Sequence, residues 1–349
     1  MTRSPATATN TATDPLIDTK RLAAWLGERL DGIGDDAVLR QISGGQSNPT
    51  YFVDSGSRTL VLRRRPDGVL LPSAHAVDRE YRVQAALKGS DVAVPEMLLY
   101  SDDRSVVGTE FYVMERVEGR VLVDNLMPGI PLPERRAYFE ALAAMLAAIH
   151  RVDIGGSGLD GFGKTGGFAT RQIGRWARQW ELSKPEPNKD IDRLIEWLPR
   201  NLPEDDRTTL VHGDFRLGNV MFHPVEPRIV AVLDWELSTL GHPLADLAHT
   251  CVYTWFMAPD EYGRGLRGEN PADYGVPDVD QFTQSYFRAS DQQGPLTTFW
   301  LALALFRNAV IFEGIAARAR QGNASSANAA EVGAFAPLLA RLGAELTTG

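Results

Sequence analysis

Apolar positions change their period twice along this chain. Around Leu22, Trp25, Leu26 and Leu30 they recur at helical spacing, with Asp18 placed to cap the helix. From Val38 to Leu62 short apolar runs alternate with turn residues: VLRQI, then SGGQSN, then TYFVDSGSRTLVLR with DSGS at its centre. That pattern predicts strand, tight loop, strand, turn, strand. A helix is expected over residues 76–88, with Tyr81, Ala85 and Leu87 facing inward, after which GTEFYVMERVEG returns to the period of a strand. Beyond Gly119 helical spacing dominates. Pro133 precedes ERRAYFEALAAMLAAIH, in which Tyr138, Leu142, Met145 and Ile149 fall on one face. More helices are expected near residues 171–182, 191–198, 244–256, 279–289, 295–318 and 329–346. One β island interrupts them: TLVHGDFRLGNVMFH followed by RIVAVLDWE.

The expected organisation is a tail over residues 1–17, a small strand-rich lobe over 18–117 and a larger helical lobe over 118–349. A length of 349 residues suits two such units. A hydrophobic fraction of 44% and a charged fraction of 23% are those of an ordinary globular protein. The formal net charge of -9, with no run of Lys or Arg, argues against nucleic acid as a partner. The most apolar stretch, FWLALALF from Phe299 to Phe306, meets Arg307 well before the ~20 residues that span a bilayer. A buried helix is expected there, and no membrane partner. The start is rich in Thr and Ala without the apolar core of a secretory signal, and the single cysteine, Cys251, cannot form an internal disulfide. The expected location is the cytoplasm.

Two stretches carry candidate chemistry. GLDGFGKT, residues 158–165, fits the phosphate-loop pattern. Such a loop needs a buried strand before it and a helix starting at Lys-Thr, so that backbone N–H groups converge on phosphates. Here it follows the tail of an amphipathic helix and runs into GGF, so Lys164 reads as an ordinary loop residue. The β island is the stronger candidate. In HGDFRLGN, Asp214 and Asn219 stand five residues apart, and Asp234 ends the apolar strand IVAVLD. Phosphoryl transfer needs a carboxylate to orient the attacking hydroxyl and accept its proton, and hard oxygen ligands to hold Mg²⁺. Asp214 supplies the first; Asn219 and Asp234 supply the second.

This spacing is the catalytic-loop signature of the protein-kinase fold. With His212-Gly213-Asp214 and LDWE in place of the protein-kinase motifs, it resembles the aminoglycoside phosphotransferase and choline kinase branch. Together with LRRRPDGVLLPSAHAVDREYRV and RQIGRWARQW, it looks like the kinase-like domain also found fused to some acyl-CoA dehydrogenases. The resemblance implies an α+β, bilobal fold: a small antiparallel β-sheet lobe with one helix, and a larger, mainly helical lobe. It implies transfer of the γ-phosphoryl group of ATP, or of GTP, to a hydroxyl of a small molecule.

By the same likeness SGGQSN would cover the phosphates, with Ser43, Gly44, Gly45 and Ser47 as binding residues. Arg63 would contact them and Glu80 would pair with Arg63. Backbone groups of Glu115 and Val117 would meet the base, and Asp246 would brace the catalytic loop. His212 reads as a buried hydrogen-bonding residue. Glu236 stands as either a metal ligand or a cap. The acceptor stays open between an aminoglycoside, for which Asp260, Glu261, Asp273, Asp278 and Asp280 are candidate contacts, and a hydroxylated acyl compound or its CoA thioester, for which Tyr253, Trp255, Phe256 and Trp300 could form an apolar slot. A non-catalytic nucleotide-binding scaffold would be expected to lack one of Asp214, Asn219 and Asp234; all three are present.

Overall fold

The alternating run from Val38 to Arg64 forms three antiparallel strands in a computed structural model that describes residues 9–10, 17–42, 48–67, 76–292, 294–321 and 329–348. The chain divides into two compact units, one drawn from residues 1–88 and 94–118, the other from 89–93 and 119–349.

In the first unit β1 (Thr9–Asn10), α1 (Thr19–Gly27), β2 (Val38–Ile42), β3 (Thr50–Ser55), β4 (Arg58–Arg64), α2 (Val77–Ala86), β5 (Met97–Ser101), α3 (Arg104–Val107) and β6 (Phe111–Glu115) follow in chain order. The strands make one antiparallel sheet in the order β1-β2-β3-β4-β6-β5. Gly56 turns the β3–β4 hairpin at φ 53°, which glycine reaches without a Cβ penalty. Asp18 caps α1 by accepting from the Arg21 N–H at 3.1 Å, and Leu22, Ala23 and Leu26 pack with Tyr51, Val53 and Phe111. At the inward face of α2, Leu87 is fully buried as expected, but the rest of the face differs. Glu80 and Gln84 are buried with Val77 and Val83, whereas Tyr81 is half-buried against Tyr100 and Tyr112. The Arg63 charge on β4 turns Glu80 inward, and Gln84 donates to the Glu80 carbonyl at 3.1 Å.

The second unit contains β7 (Arg120–Val121), α4 (Leu132–His150), α5 (Phe168–Ser183), α6 (Lys189–Arg200), β8 (Thr209–Val211), β9 (Val220–Phe222), β10 (Ile229–Val232), β11 (Thr239–Gly241), α7 (Pro243–Trp255), α8 (Val279–Ala289), α9 (Thr298–Arg320), α10 (Ala329–Gly333) and α11 (Ala336–Leu346). The β island supplies two small antiparallel sheets, β10-β9-β7 and β11-β8. FWLALALF belongs to the 23-residue α9, which is long and apolar enough to cross a membrane by composition, with 72% of its most apolar window buried. That apolarity is used in packing, since α5, α6, α7, α10 and α11 all lie against α9.

Candidate active site

The β8–β9 connection holds the catalytic-loop pattern, and side chains from other elements hold the connection. Asp246, buried in the first turn of α7, accepts the His212 N–H at 2.6 Å on one carboxylate oxygen and the Gly213 N–H at 2.8 Å on the other. The buried His212 ring reaches across to the Leu233 carbonyl at 2.8 Å. Gly213 has φ 86°, and a Cβ there would stand 2.5 Å from the Leu237 carbonyl oxygen. Gly213→Ala is therefore expected to destabilise the fold by about 1–3 kcal/mol, measured by urea unfolding; a change below about 0.5 kcal/mol would show that the loop can rearrange.

These anchors present Asp214 with both carboxylate oxygens engaged. Its Oδ1 accepts from His249 Nε2 at 2.7 Å, and its Oδ2 accepts from Asn219 Nδ2 at 2.7 Å. Burial pushes the carboxyl upward, but the His249 hydrogen bond and the charges of Arg216 and Arg307 outweigh it and hold Asp214 well below the usual carboxylate range. His249 is itself buried on α7, and burial, aided by the Arg307 charge, moves its imidazole below its ordinary value despite Asp214. Arg307 Nη1 lies 3.3 Å from His249 Nδ1. A guanidinium can only donate, so Nδ1 is the acceptor and the proton sits on Nε2, facing Asp214. Arg307 Nη2 also donates to the Gly213 carbonyl at 2.6 Å.

Asn219 spends its amide N–H groups on the Asp214 carboxylate and carbonyl, leaving Oδ1 as its remaining ligand atom. Its own carbonyl accepts the Leu233 N–H at 2.8 Å, which ties the catalytic loop to the end of β10 and brings Asp234 alongside. Asp234 takes the left-handed conformation, φ 63° and ψ 61°, a region Asp tolerates better than most residues. An amide oxygen and a carboxylate brought together by backbone hydrogen bonding are a hard-oxygen pair that fits Mg²⁺. Glu236 lies in the short turn that follows and is half-buried.

In the first unit Arg63 on β4 meets Glu80 on α2, Nε to Oε2 at 2.7 Å, with Glu80 only 1% exposed. Asn48 and the Tyr112 hydroxyl also donate to that carboxylate, which explains the polar inward face of α2. Burial, reinforced by the Glu80 charge, raises the Tyr112 phenol far above its ordinary value, so it remains a donor. The Glu115 N–H donates to the Glu96 carbonyl and its side chain pairs with Arg58. That N–H is therefore committed within the unit. Val117 follows in the irregular segment after β6. Ser43, Gly44, Gly45 and Ser47 lie outside the described residues.

The GLDGFGKT stretch has neither flank of a phosphate loop. It follows the end of α4 through turns, and α5 starts only at Phe168, while the Lys164 carbonyl accepts from Arg171.

Residues 38–283 match the sequence model of the phosphotransferase enzyme family. The chain belongs to that family. It has 41% identity to a candidate aminoglycoside phosphotransferase from Ralstonia eutropha, whose crystal structure superposes with a TM-score of 0.85 over 94% of this chain and 98% of that one. A thermostable mutant of the aminoglycoside phosphotransferase APH(4)-Ia, solved with ADP and hygromycin B, shares the fold at 18% identity and a TM-score of 0.62, covering 94% of this chain and 99% of that one. The rat acyl-CoA dehydrogenase family member 11 is 43% identical over 89% of this chain, and the mouse family member 10 is 40% identical over 89%. The chain spans only 41% of the rat protein and 29% of the mouse protein. Phosphotransferase membership establishes the kinase-like fold and supports a small-molecule phosphotransferase.

Within this phosphotransferase, the residues that sequence reasoning missed are His249, Arg216 and Arg307, all of which act on Asp214. The candidate acceptor contacts are scattered. Trp300 stacks on the buried His242 at 4.2 Å between centroids and is core, whereas Trp255 is half-buried against Phe139 and Phe282. Asp278 caps α8, Glu261 pairs with Arg267, and Asp273 accepts from Asn270. Asp278 and Asp280 border an open depression of about 430 Å³ that also touches Trp255. On α7, Trp255 is two residues and so about 200° from Tyr253, whose ring packs on His249. The depression is thus on the face of α7 turned away from Asp214.

Proposed function

We propose that this chain transfers the γ-phosphoryl group of ATP to a hydroxyl group of a small molecule, with Asp214 as the base. The observation that carries the reading is the backbone hydrogen bond from Leu233 to Asn219, which draws the oxygen pair of Asn219 and Asp234 to a carboxylate already ionised and held by two donors. In the transfer, the acceptor hydroxyl oxygen forms a bond to the γ-phosphorus. The bond from that phosphorus to the bridging oxygen breaks, ADP leaves, and the hydroxyl proton passes to Asp214. A carboxylate of depressed pKa is a weak base, which suits a loose transition state where orienting the hydroxyl matters more than early proton removal. Asn219 and Asp234 would hold Mg²⁺, which when bound neutralises phosphate charge. In the first unit Arg63, steadied by Glu80, is the phosphate-binding arginine; a guanidinium can engage phosphate oxygens in bidentate fashion.

A nucleotide donor accords with the ADP in the APH(4)-Ia complex. For the acceptor, identity of 40% or more to proteins named as acyl-CoA dehydrogenase family members favours a hydroxylated acyl compound over an aminoglycoside. Calorimetric titration of Mg·ATP tests the donor half. Binding is expected to require Mg²⁺, to vanish in Asp234→Ala and to persist in Lys164→Ala. Loss of binding in Lys164→Ala would instead move the nucleotide to GLDGFGKT, and no binding by the unaltered chain would remove the function.

A further inference from the structure

The glycine-rich stretch GLDGFGKT runs on into a small cavity of about 180 Å³ in the helical unit. Gly166 donates its N–H to Thr208 Oγ1 at 3.3 Å, and Gly167, at φ 59°, donates to Asp206 Oδ2 at 2.7 Å and leads into α5. A glycine brings no capping side chain, so none meets the N–H groups in the first turn of this 16-residue helix among the described residues. Ala169 carries that turn onto the cavity wall, where the free N–H groups and the helix dipole favour negative charge. A second donor lies on the same wall. His242 is 2% exposed, and burial pushes its imidazole down to about 4, so the ring is neutral near neutrality. Its Nδ1 accepts the Leu244 N–H at 3.3 Å, which places the ring proton on Nε2. That Nε2 is buried and makes no hydrogen bond among the described residues, although Asp205 Oδ2, also on the wall, stands 3.5 Å away. A buried donor without an acceptor is destabilising, and a ligand that supplies the acceptor removes that penalty.

The wall is acidic as well. Asp205 is paired with Arg207 at 2.6 Å, whereas Asp206 has no Lys or Arg within 4.0 Å among the described residues. A simple anion would be repelled by Asp206, and a simple cation would leave His242 Nε2 unmatched. A dipolar molecule satisfies both. We infer that the cavity binds a free α-amino acid with a small apolar side chain: its carboxylate on the α5 N–H groups and His242 Nε2–H, its ammonium on Asp206, its side chain against Leu202 and Pro203. The adjacency of the two charges in such a ligand matches that of Asp206 and the start of α5, which share a hydrogen bond. A volume below the ~300 Å³ of ordinary ligand pockets excludes a nucleotide. A metal ion is excluded by the tautomer, since Nε2 carries a proton and not a lone pair. The site is distinct from that of Asp214. His242 stands seven residues before His249 along α7, about 10 Å at 1.5 Å per residue. The inference does not depend on the phosphotransferase reading.

The test is a ligand-observed NMR titration of the full chain with L-valine, L-valinamide and N-acetyl-L-valine, which keep one side chain and remove one charge or the other. L-Valine is expected to bind with a Kd of about 1 mM or tighter. Each derivative should bind at least ~10-fold more weakly, the loss that follows removal of a charge-assisted hydrogen bond. Asp206→Asn should raise the Kd for L-valine by a similar factor and leave N-acetyl-L-valine unchanged. Asp206 is exposed and asparagine can still accept the Gly167 N–H, so this variant keeps its fold. Saturating Mg·ATP should not alter the Kd for L-valine. No binding of L-valine at about 10 mM would overturn the inference and leave the cavity to water. Derivatives as tight as L-valine, or an unchanged Kd in Asp206→Asn, would also overturn it. Displacement of L-valine by Mg·ATP would do so too, by assigning the amino acid to the site of Asp214. Failure of the chain to bind Mg·ATP would remove the phosphotransferase reading and leave this site standing.

Discussion

Asp214→Asn should lower kcat by about 10²- to 10⁴-fold, the usual contribution of a positioned acid or base, while Mg·ATP still binds in calorimetry. The amide is nearly the size of the carboxylate, so the loop need not collapse. It cannot, however, satisfy the same neighbours. His249 Nε2 and Asn219 Nδ2 both point donors at Asp214, one at each oxygen. An amide offers one oxygen and one NH₂, so one of the two donors must face another donor. The acceptor hydroxyl then loses both its proton acceptor and its orientation. A variant retaining more than about a fifth of the original kcat would remove Asp214 from the base role.

Asp246→Ala should destabilise the fold by about 3–5 kcal/mol, the range for removing one partner from a buried charged cluster, read as a shift in urea unfolding. The carboxylate is 2% exposed and holds the His212 and Gly213 N–H groups, with His150 Nε2 at 3.5 Å. Removing it leaves two buried backbone donors without acceptors, each carrying a desolvation penalty. Burial pushes the Asp246 carboxyl upward, but His150 and His212 outweigh this, so its folded pKa lies below its ordinary value. The stabilisation is consequently present above the unfolded carboxylate range and lost only as pH falls through the lower, folded value. Activity near neutrality should therefore suffer from the substitution and not from mild acid acting on this group. A loss under 1 kcal/mol would mean that water replaces the carboxylate.

The reacting residues were legible because the chemistry compresses them. Asp214 and Asn219 must serve the same few ångströms, so one tight loop carries both, and Asp234 follows on the next strand. Their supports were not legible, because packing of α7 and α9 brings them in. His249 did leave a trace: it lies three residues after Asp246 on α7, and residues at that spacing share a helix face. Once Asp246 was set to brace the loop, the same face offered His249. Arg307 left none beyond interrupting an apolar helix. The face of α2 misled at Tyr81, which hydrophobic spacing favoured, while the Arg63 charge required Glu80 to turn inward. Strand β5 had no alternation to find, since four of its five residues are half-buried on both sides of the sheet.

The Gly213 carbonyl finds its Arg307 partner 94 residues further along the chain. A ribosome releases residues in order, so the loop bearing Asp214 emerges well before the helix that completes it. Until α9 has been made and packed, His249 lacks the guanidinium that selects its tautomer and the loop lacks one of its fastenings. Catalytic competence should therefore arrive only once α9 has been made and packed, and a growing chain stalled before α9 would carry the recognisable motif without its completed site.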